Sequence, residues 1–200
     1  MCKVVGIAAT AWVILGCMVT FSQAEIVNIG GAVFGFLPQN GQNAPGDSAV
    51  PVGTLTQLVI EPGTYTITNA TGLPGANPDY TAWQFNTNPN WVWSFVIADD
   101  ATDTVLLAGV AGTENGTGIW STKAEVVMQP SVQNFMATLT LTDTTTLNFG
   151  IRDHFVDDNA GGISLNIEAV PEPSSALLSM MALAALLHAM TNLQRRRRAA

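Results

Sequence analysis

Hydrophobic and polar positions divide this chain into three parts. Val4 to about Val19 is a nearly unbroken apolar run, Ala176 to about Leu193 is a second, and short alternating stretches fill the space between. No long window from Glu25 to Val170 places apolar residues at helical spacing, while several short ones alternate with period two, as half-buried strands do. Leu58-Val59-Ile60 with their neighbours and Gly63 to Asn69 read as strands separated by a turn at Glu61-Pro62-Gly63. Trp91 to Ala98 is apolar on both faces and predicts a central strand, followed after an Asp99-Asp100 turn by a strand from Asp103 to Ala108. Phe135 to Thr142 alternates, with Leu139 and Leu141 on one face and Thr138, Thr140 and Thr142 on the other. Asp143-Thr144 then leads to Leu147, Phe149 and Ile151, which predicts a hairpin. Gly162 to Glu168, with Ile163, Leu165 and Ile167 inward, is the last strand, and residues Pro38 to Pro51, Gly72 to Pro78 and Asn86 to Asn90 are expected loops.

About eight strands joined by Gly-, Pro- and Asn-rich turns predict an all-β fold, an antiparallel β-sandwich of jelly-roll type. No repeat of solenoid length is visible, which argues against a stacked-repeat architecture.

The two apolar runs frame this domain. Lys3 precedes the first run and Ser22-Gln23-Ala24 follows it with small residues, the arrangement of a secretory signal peptide over residues 1–24. Such a peptide implies the secretion translocon and signal peptidase as partners. A competing reading takes Ile14-Leu15-Gly16-Cys17 as a lipoprotein box with Cys17 lipidated, although Leu15 is large for its position. At the other end, Pro171 and Pro173 hold an extended, exposed strip, because each fixes φ and lacks a backbone donor. The run 176–193 would span about 27 Å as a helix, just enough for a hydrocarbon core of about 30 Å. Arg195, Arg196, Arg197 and Arg198 would hold its far end in the cytoplasm.

Val170-Pro171-Glu172-Pro173-Ser174, the apolar run and the arginine cluster together resemble the PEP-CTERM sorting signal of Gram-negative bacteria over residues 170–200. The resemblance implies processing by an exosortase, an integral-membrane cysteine transpeptidase, after transient anchoring in the inner membrane, and delivery to the cell surface or extracellular matrix. His188 and Asn192 depart from the usual Leu/Gly/Ala composition of the helix. An ordinary C-terminal anchor with a chance Pro-Glu-Pro is the plainer alternative.

Charge and cysteine usage narrow what residues 25–169 can do. Lys3 and Arg195 to Arg198 are five of the chain's seven basic residues, leaving Lys123 and Arg152 against fourteen acids from Glu25 to Glu168. That balance, two minus fourteen or −12, excludes nucleic acid as a partner, since nothing would neutralise phosphates. It favours solubility and cation binding. Both cysteines, Cys2 and Cys17, lie within the expected signal peptide, so the domain has no disulfide, thiol nucleophile or thiolate metal site. Its stability must come from its core, for which about 145 residues suffice.

The densest chemistry lies between Asn148 and Gly162. Asp153, Asp157, Asp158 and Asn159 supply four hard oxygen ligands ahead of Gly161-Gly162, a composition that suits Ca²⁺ with backbone carbonyls completing the shell. The spacing is not that of an EF-hand, and a solvated acidic turn is the alternative. This loop, feeding the Ile163-Ser164-Leu165-Asn166-Ile167 strand, resembles the corresponding loop of galactose-binding-like sandwiches, including calcium-dependent bacterial lectins. The resemblance implies metal-coordinating roles for Asp153, Asp158 and Asn159, and a metal that holds sugar hydroxyls.

Trp83 and Trp120, near loops, are candidates for stacking on sugar rings, whereas Trp91 and Trp93 share a strand face with Phe95 and Ile97 and read as core. His154 is the domain's only histidine, so no multi-histidine zinc site can form; a Ser-His-Asp triad would rest on His154 alone with no nucleophile-elbow sequence around any serine, and a loop residue beside the acidic cluster is the plainer reading. The threonines from Thr138 to Thr146 suit a solvent-facing strand and offer O-glycan acceptors as an alternative. These readings predict a non-enzymatic surface or matrix protein, structural or adhesive, with calcium-supported binding of exopolysaccharide as its sharper form. A secreted polysaccharide-modifying enzyme is the alternative from another class, and two converging carboxylates in a cleft would mark it.

Overall fold

The computed structural model describes residues 24–37, 44–86, 90–111, 118–153, 155–171 and 181–190. Its strands are β1 (Glu25–Gly30), β2 (Phe34–Leu37), β3 (Val50–Gly53), β4 (Thr56–Ile60), β5 (Gly63–Asn69), β6 (Thr81–Gln84), β7 (Trp91–Asp99) and β8 (Thr104–Ala111). Two short helices, α1 (Lys123–Val127) and α2 (Pro130–Gln133), lead into β9 (Met136–Leu141) and β10 (Thr145–Gly150). A 3₁₀ turn, Val156–Asp158, precedes β11 (Ala160–Ala169).

Every strand pair is antiparallel. Nine strands follow the path β4-β10-β7-β6-β11-β5-β9, with β1 added to β11 and β8 to β7; β2 and β3 form a separate ribbon. The short β6 is the corner, since it pairs with β11 through Ala160 to Ile163 and with β7 through Val92 and Trp91. Beyond it, β11 continues along β5 while β7 continues along β10, so the path doubles back into two packed layers. Leu139, Ile67 and Leu165 of one layer share a core with Phe149, Ile97 and Phe95 of the other. This is the expected antiparallel all-β sandwich.

Strand β7 is apolar on both faces because both faces are covered. Trp93, Phe95 and Ile97 enter the main core, while Val96 and Ala98 pack with Phe36, Ala49 and Val105 beneath the β2–β3 ribbon. Trp93, Phe95 and Phe135 form an aromatic triad with centroids 4.9–5.4 Å apart, two of its pairs edge-to-face.

One neighbour relation differs from the expectation. Strands β9 and β10 are not a hairpin: β9 pairs with β5, and β10 with β4 and β7. Strands β4 and β5 likewise belong to different layers, so both short connections cross the sandwich instead of folding a strand on itself. The connections are tied together, Thr144 Oγ1 donating to Glu61 Oε2 at 2.8 Å. Strands β1, β2, β3 and β6 and both helices were not expected. Strands β2, β3 and β6 have four residues each and the helices four or five, too few for a periodic signal, while in β1 the adjacent apolar Ile26 and Val27 blur the alternation.

Residues Gln23–Val170 form one compact unit, and the terminal segments fall outside it. Residues 181–190 are helical. Among the described residues no helix is long and apolar enough to cross a membrane. The expected signal peptide and the flanks of the expected 176–193 helix lie outside the described residues.

Candidate functional site

The acidic loop between β10 and β11 is seated on the turn between β1 and β2. Ile151 donates its N–H to Phe34 O at 2.8 Å and its carbonyl accepts from Phe36 N at 2.9 Å. Gly31 N donates to Gly161 O at 2.9 Å. Gly35 must lack a side chain here, because a Cβ would lie 2.8 Å from Asp153 O and 2.6 Å from Val156 Cγ1. Gly161, at φ +77°, has the left-handed conformation that glycine adopts without strain and passes a Cβ-width from Ala82 O.

The four candidate oxygen ligands lie in different surroundings. Asp153 is half-buried, and its Oδ1 accepts the Phe155 N–H at 3.2 Å. Asp157 and Asp158 are exposed on the 3₁₀ turn. Asn159 is buried, its Nδ2 donating to Gly31 O at 3.2 Å and its backbone N–H to Val156 O at 3.2 Å. Its amide therefore pins the loop to the β1–β2 turn. Among the described residues no three His, Cys, Asp or Glu side chains gather as a metal-holding group. Within the loop the candidate ligands thus range from the buried Asn159 amide to the exposed Asp157 and Asp158 carboxylates. His154 lies outside the described residues.

The tryptophans divide differently from the sequence reading. Trp83 is buried at 3% exposure, with Nε1 donating to Ser94 O at 3.0 Å and its ring 6.0 Å from that of Phe85. Its face is occupied by protein, which corrects its candidacy as a sugar platform. Trp93 is core as expected. Trp91 is only half-buried: it exchanges backbone hydrogen bonds of 2.9 and 3.0 Å with the half-buried Trp120, and Lys123 Nζ sits 5.1 Å above its ring. Lys123 Nζ also donates to Asp79 O at 2.5 Å. Helix α1 positions that ammonium through a capping box, in which Thr122 Oγ1 accepts from Glu125 N and Glu125 Oε2 accepts from Thr122 N. The Thr122-Lys-Ala-Glu125 spacing carries that box in the sequence.

A polar network that sequence reasoning missed lies on the other layer. Asp100 Oδ1 accepts from Asn148 Nδ2 at 2.8 Å and Gln57 Nε2 at 3.1 Å, and Gln57 Nε2 also donates to Asn148 Oδ1 at 2.9 Å. The three side chains are far apart in sequence, so only strand pairing assembles them.

At the tail, the sheet reaches the expected sorting strip. Val170 N donates to Thr64 O at 2.7 Å, and Val170 and Pro171 are exposed. Glu172, Pro173, Ser174 and Arg195 to Arg198 lie outside the described residues. No protein-family profile matches the chain, and no match is found among curated proteins or solved structures.

Proposed function

We propose that this chain is an exported protein of the cell surface or exopolysaccharide matrix, sorted by an exosortase through residues 170–200, with a structural or adhesive role. The observation that carries the reading is the order of the tail: a Val-Pro-Glu-Pro-Ser strip, an apolar run and four arginines directly after the last strand. The last ladder-side hydrogen bond, from Val170, supports it by ending the described sheet where the strip begins. A signal peptide ending near Ala24 agrees with β1 starting at Glu25. The finer reading of the fold is a jelly-roll sandwich of galactose-binding type, supported by the antiparallel pairing of its strands. The half-exposed Trp120 beside Lys123 and Trp91 is the remaining aromatic candidate for contact with matrix sugar.

The test is fractionation in a Gram-negative host that carries an exosortase. Wild type is expected at the surface or in the medium, shortened at its C-terminus by mass spectrometry. A Pro171→Ala, Pro173→Ala chain is expected to stay full-length in the inner membrane. Identical processing of both chains would refute the sorting assignment.

A further inference from the structure

The main sheet path ends at β4 on one side and at β9 on the other, and β1 and β8 are the remaining outer strands. Strand β8 is covered by the segment before β3: Gly46 N donates to Val105 O, Val105 N to Asp47 O and Ala49 N to Asp103 O, at 2.6–2.9 Å. Strand β1 is held by the 70–80 loop, since Asn28 Nδ2 donates to Gly75 O and Asn28 Oδ1 accepts Asn77 N. Strand β4 is five residues long and runs into Glu61-Pro62. Among the described residues nothing comparable guards strand β9. Met136-Ala-Thr-Leu-Thr-Leu141 contains no proline and no charge, and its register with β5 is unbroken from Met136 to Leu141. Bare edges of this kind recruit further strands, which is why proteins ordinarily guard them.

The ladder fixes which groups face outward. Val170 N→Thr64 O and Ala70 N→Ser164 O turn the even-numbered residues of β5 toward β11. Gly63, Tyr65 and Ile67 therefore bond to Leu141, Leu139 and Ala137. The backbone N–H and C=O groups of Met136, Thr138 and Thr140 then point away from β5, and all three residues are exposed. No backbone hydrogen bond from another described residue reaches them.

We propose that β9 docks a second copy of this chain, whose β9 adds antiparallel across a two-fold axis with Thr138 opposite its counterpart and Met136 opposite Thr140. In that register the outward groups of all three residues form pairs that exchange both hydrogen bonds. A two-fold contact presents the same row to itself, so it requires a self-complementary surface. Elsewhere a second copy meets an acidic domain, with fourteen acids against two bases from Glu25 to Glu168. An uncharged strand is where two such surfaces approach without repulsion. The partner would also cover Met136, which is 71% exposed. The inference does not depend on the sorting tail.

The test uses the full-length chain in mild detergent with Cys2→Ser and Cys17→Ser, which removes every native thiol. Thr138→Cys is then expected to give a disulfide-linked dimer on a non-reducing gel. A hydrogen-bonded antiparallel pair sets the two Cα atoms about 5.5 Å apart, within disulfide reach. Val59→Cys, on the opposite end of the sheet path, is expected to stay monomeric. In sedimentation, Thr138→Pro removes an outward donor and spares the β5 ladder, and Thr138→Lys keeps the donor but brings two like charges together. Both are expected to convert dimer to monomer, with unchanged circular dichroism. Absence of the Thr138→Cys cross-link, cross-linking through Val59→Cys alone, or a dimer unmoved by both Thr138 variants would overturn the proposal.

Discussion

Single residues decide how closely β1 and β11 approach. Gly162 pairs with Gly30, and a Cβ on it would meet Ile29 O at 2.4 Å and Tyr80 Cγ at 2.8 Å. One obstacle is backbone, so Gly162→Ala is expected to cost roughly 1–3 kcal/mol or more, as overpacking does, read as a lower urea midpoint at constant slope. Asn28 is the opposite kind of constraint, a polar side chain that gathers partners. Its Oδ1 accepts from the fully buried Ser164 hydroxyl at 2.6 Å and from Asn77 N at 2.9 Å. Asn28→Ala would orphan both donors at about 1–3 kcal/mol for a buried group, and the same urea experiment measures it. Tyr65 offers a pH signature. Burial first, and then the negative Glu61, raise its phenol above the ordinary 10.0, while its hydroxyl donates to Glu61 O at 2.8 Å. A folded-state value above the unfolded one contributes stability that is present below about pH 10 and is lost as pH rises through the folded value. Phenolate absorbance should therefore show Tyr65 titrating later in the native protein than after unfolding, and Tyr65→Phe should remove that difference.

At the scale of elements, the connections matter more than the strands. Strands β5, β7, β9 and β11 were legible because each alternates or stays apolar over six residues or more. Their partners were not legible, since a two-residue connector such as Asp143-Thr144 serves a hairpin or a crossing between layers equally well. The outcome was decided by competition: β9 finds six partners on β5, and β10 lies between β4 and β7. The Thr144–Glu61 hydrogen bond is an exposed contact between the two crossings, so Thr144→Ala is expected to shift stability by about 1 kcal/mol or less. Helix α1 is a stronger test because its five residues depend on their cap. Thr122→Ala should cost about 1 kcal/mol and free Lys123 from Trp91, which Trp91 fluorescence would report as a change in exposure.

At the scale of the whole molecule, the fold draws the acidic loop's candidate ligands into different surroundings. Asn159 is spent on Gly31 O and Asp153 on Phe155 N, while Asp157 and Asp158 remain in solvent. Adding millimolar Ca²⁺ to the EGTA-treated protein is accordingly expected to leave the unfolding midpoint unmoved. An upward shift abolished by Asp158→Ala would show that the loop rearranges to bind metal, since a ligand of the folded state must stabilise it.

The sequence by itself determined the all-β class, the central place of β7, and the acidic and thiol-free character of residues 25–169. These follow from composition and from period-two patterning, which are local and additive. It also carries the whole of the sorting reading, because that signal is linear: strip, apolar run, arginines. Only the tertiary structure decided that β9 leaves β10 for β5, that Trp83 is core while Trp91 is half-exposed, and that Asn159 is a structural pin. Each of these depends on which distant segment arrives alongside, β5 for β9, Ser94 for Trp83, Gly31 for Asn159. Long-range pairing is chosen by the burial and hydrogen bonding of the complete sheet, and no short window of sequence contains that choice.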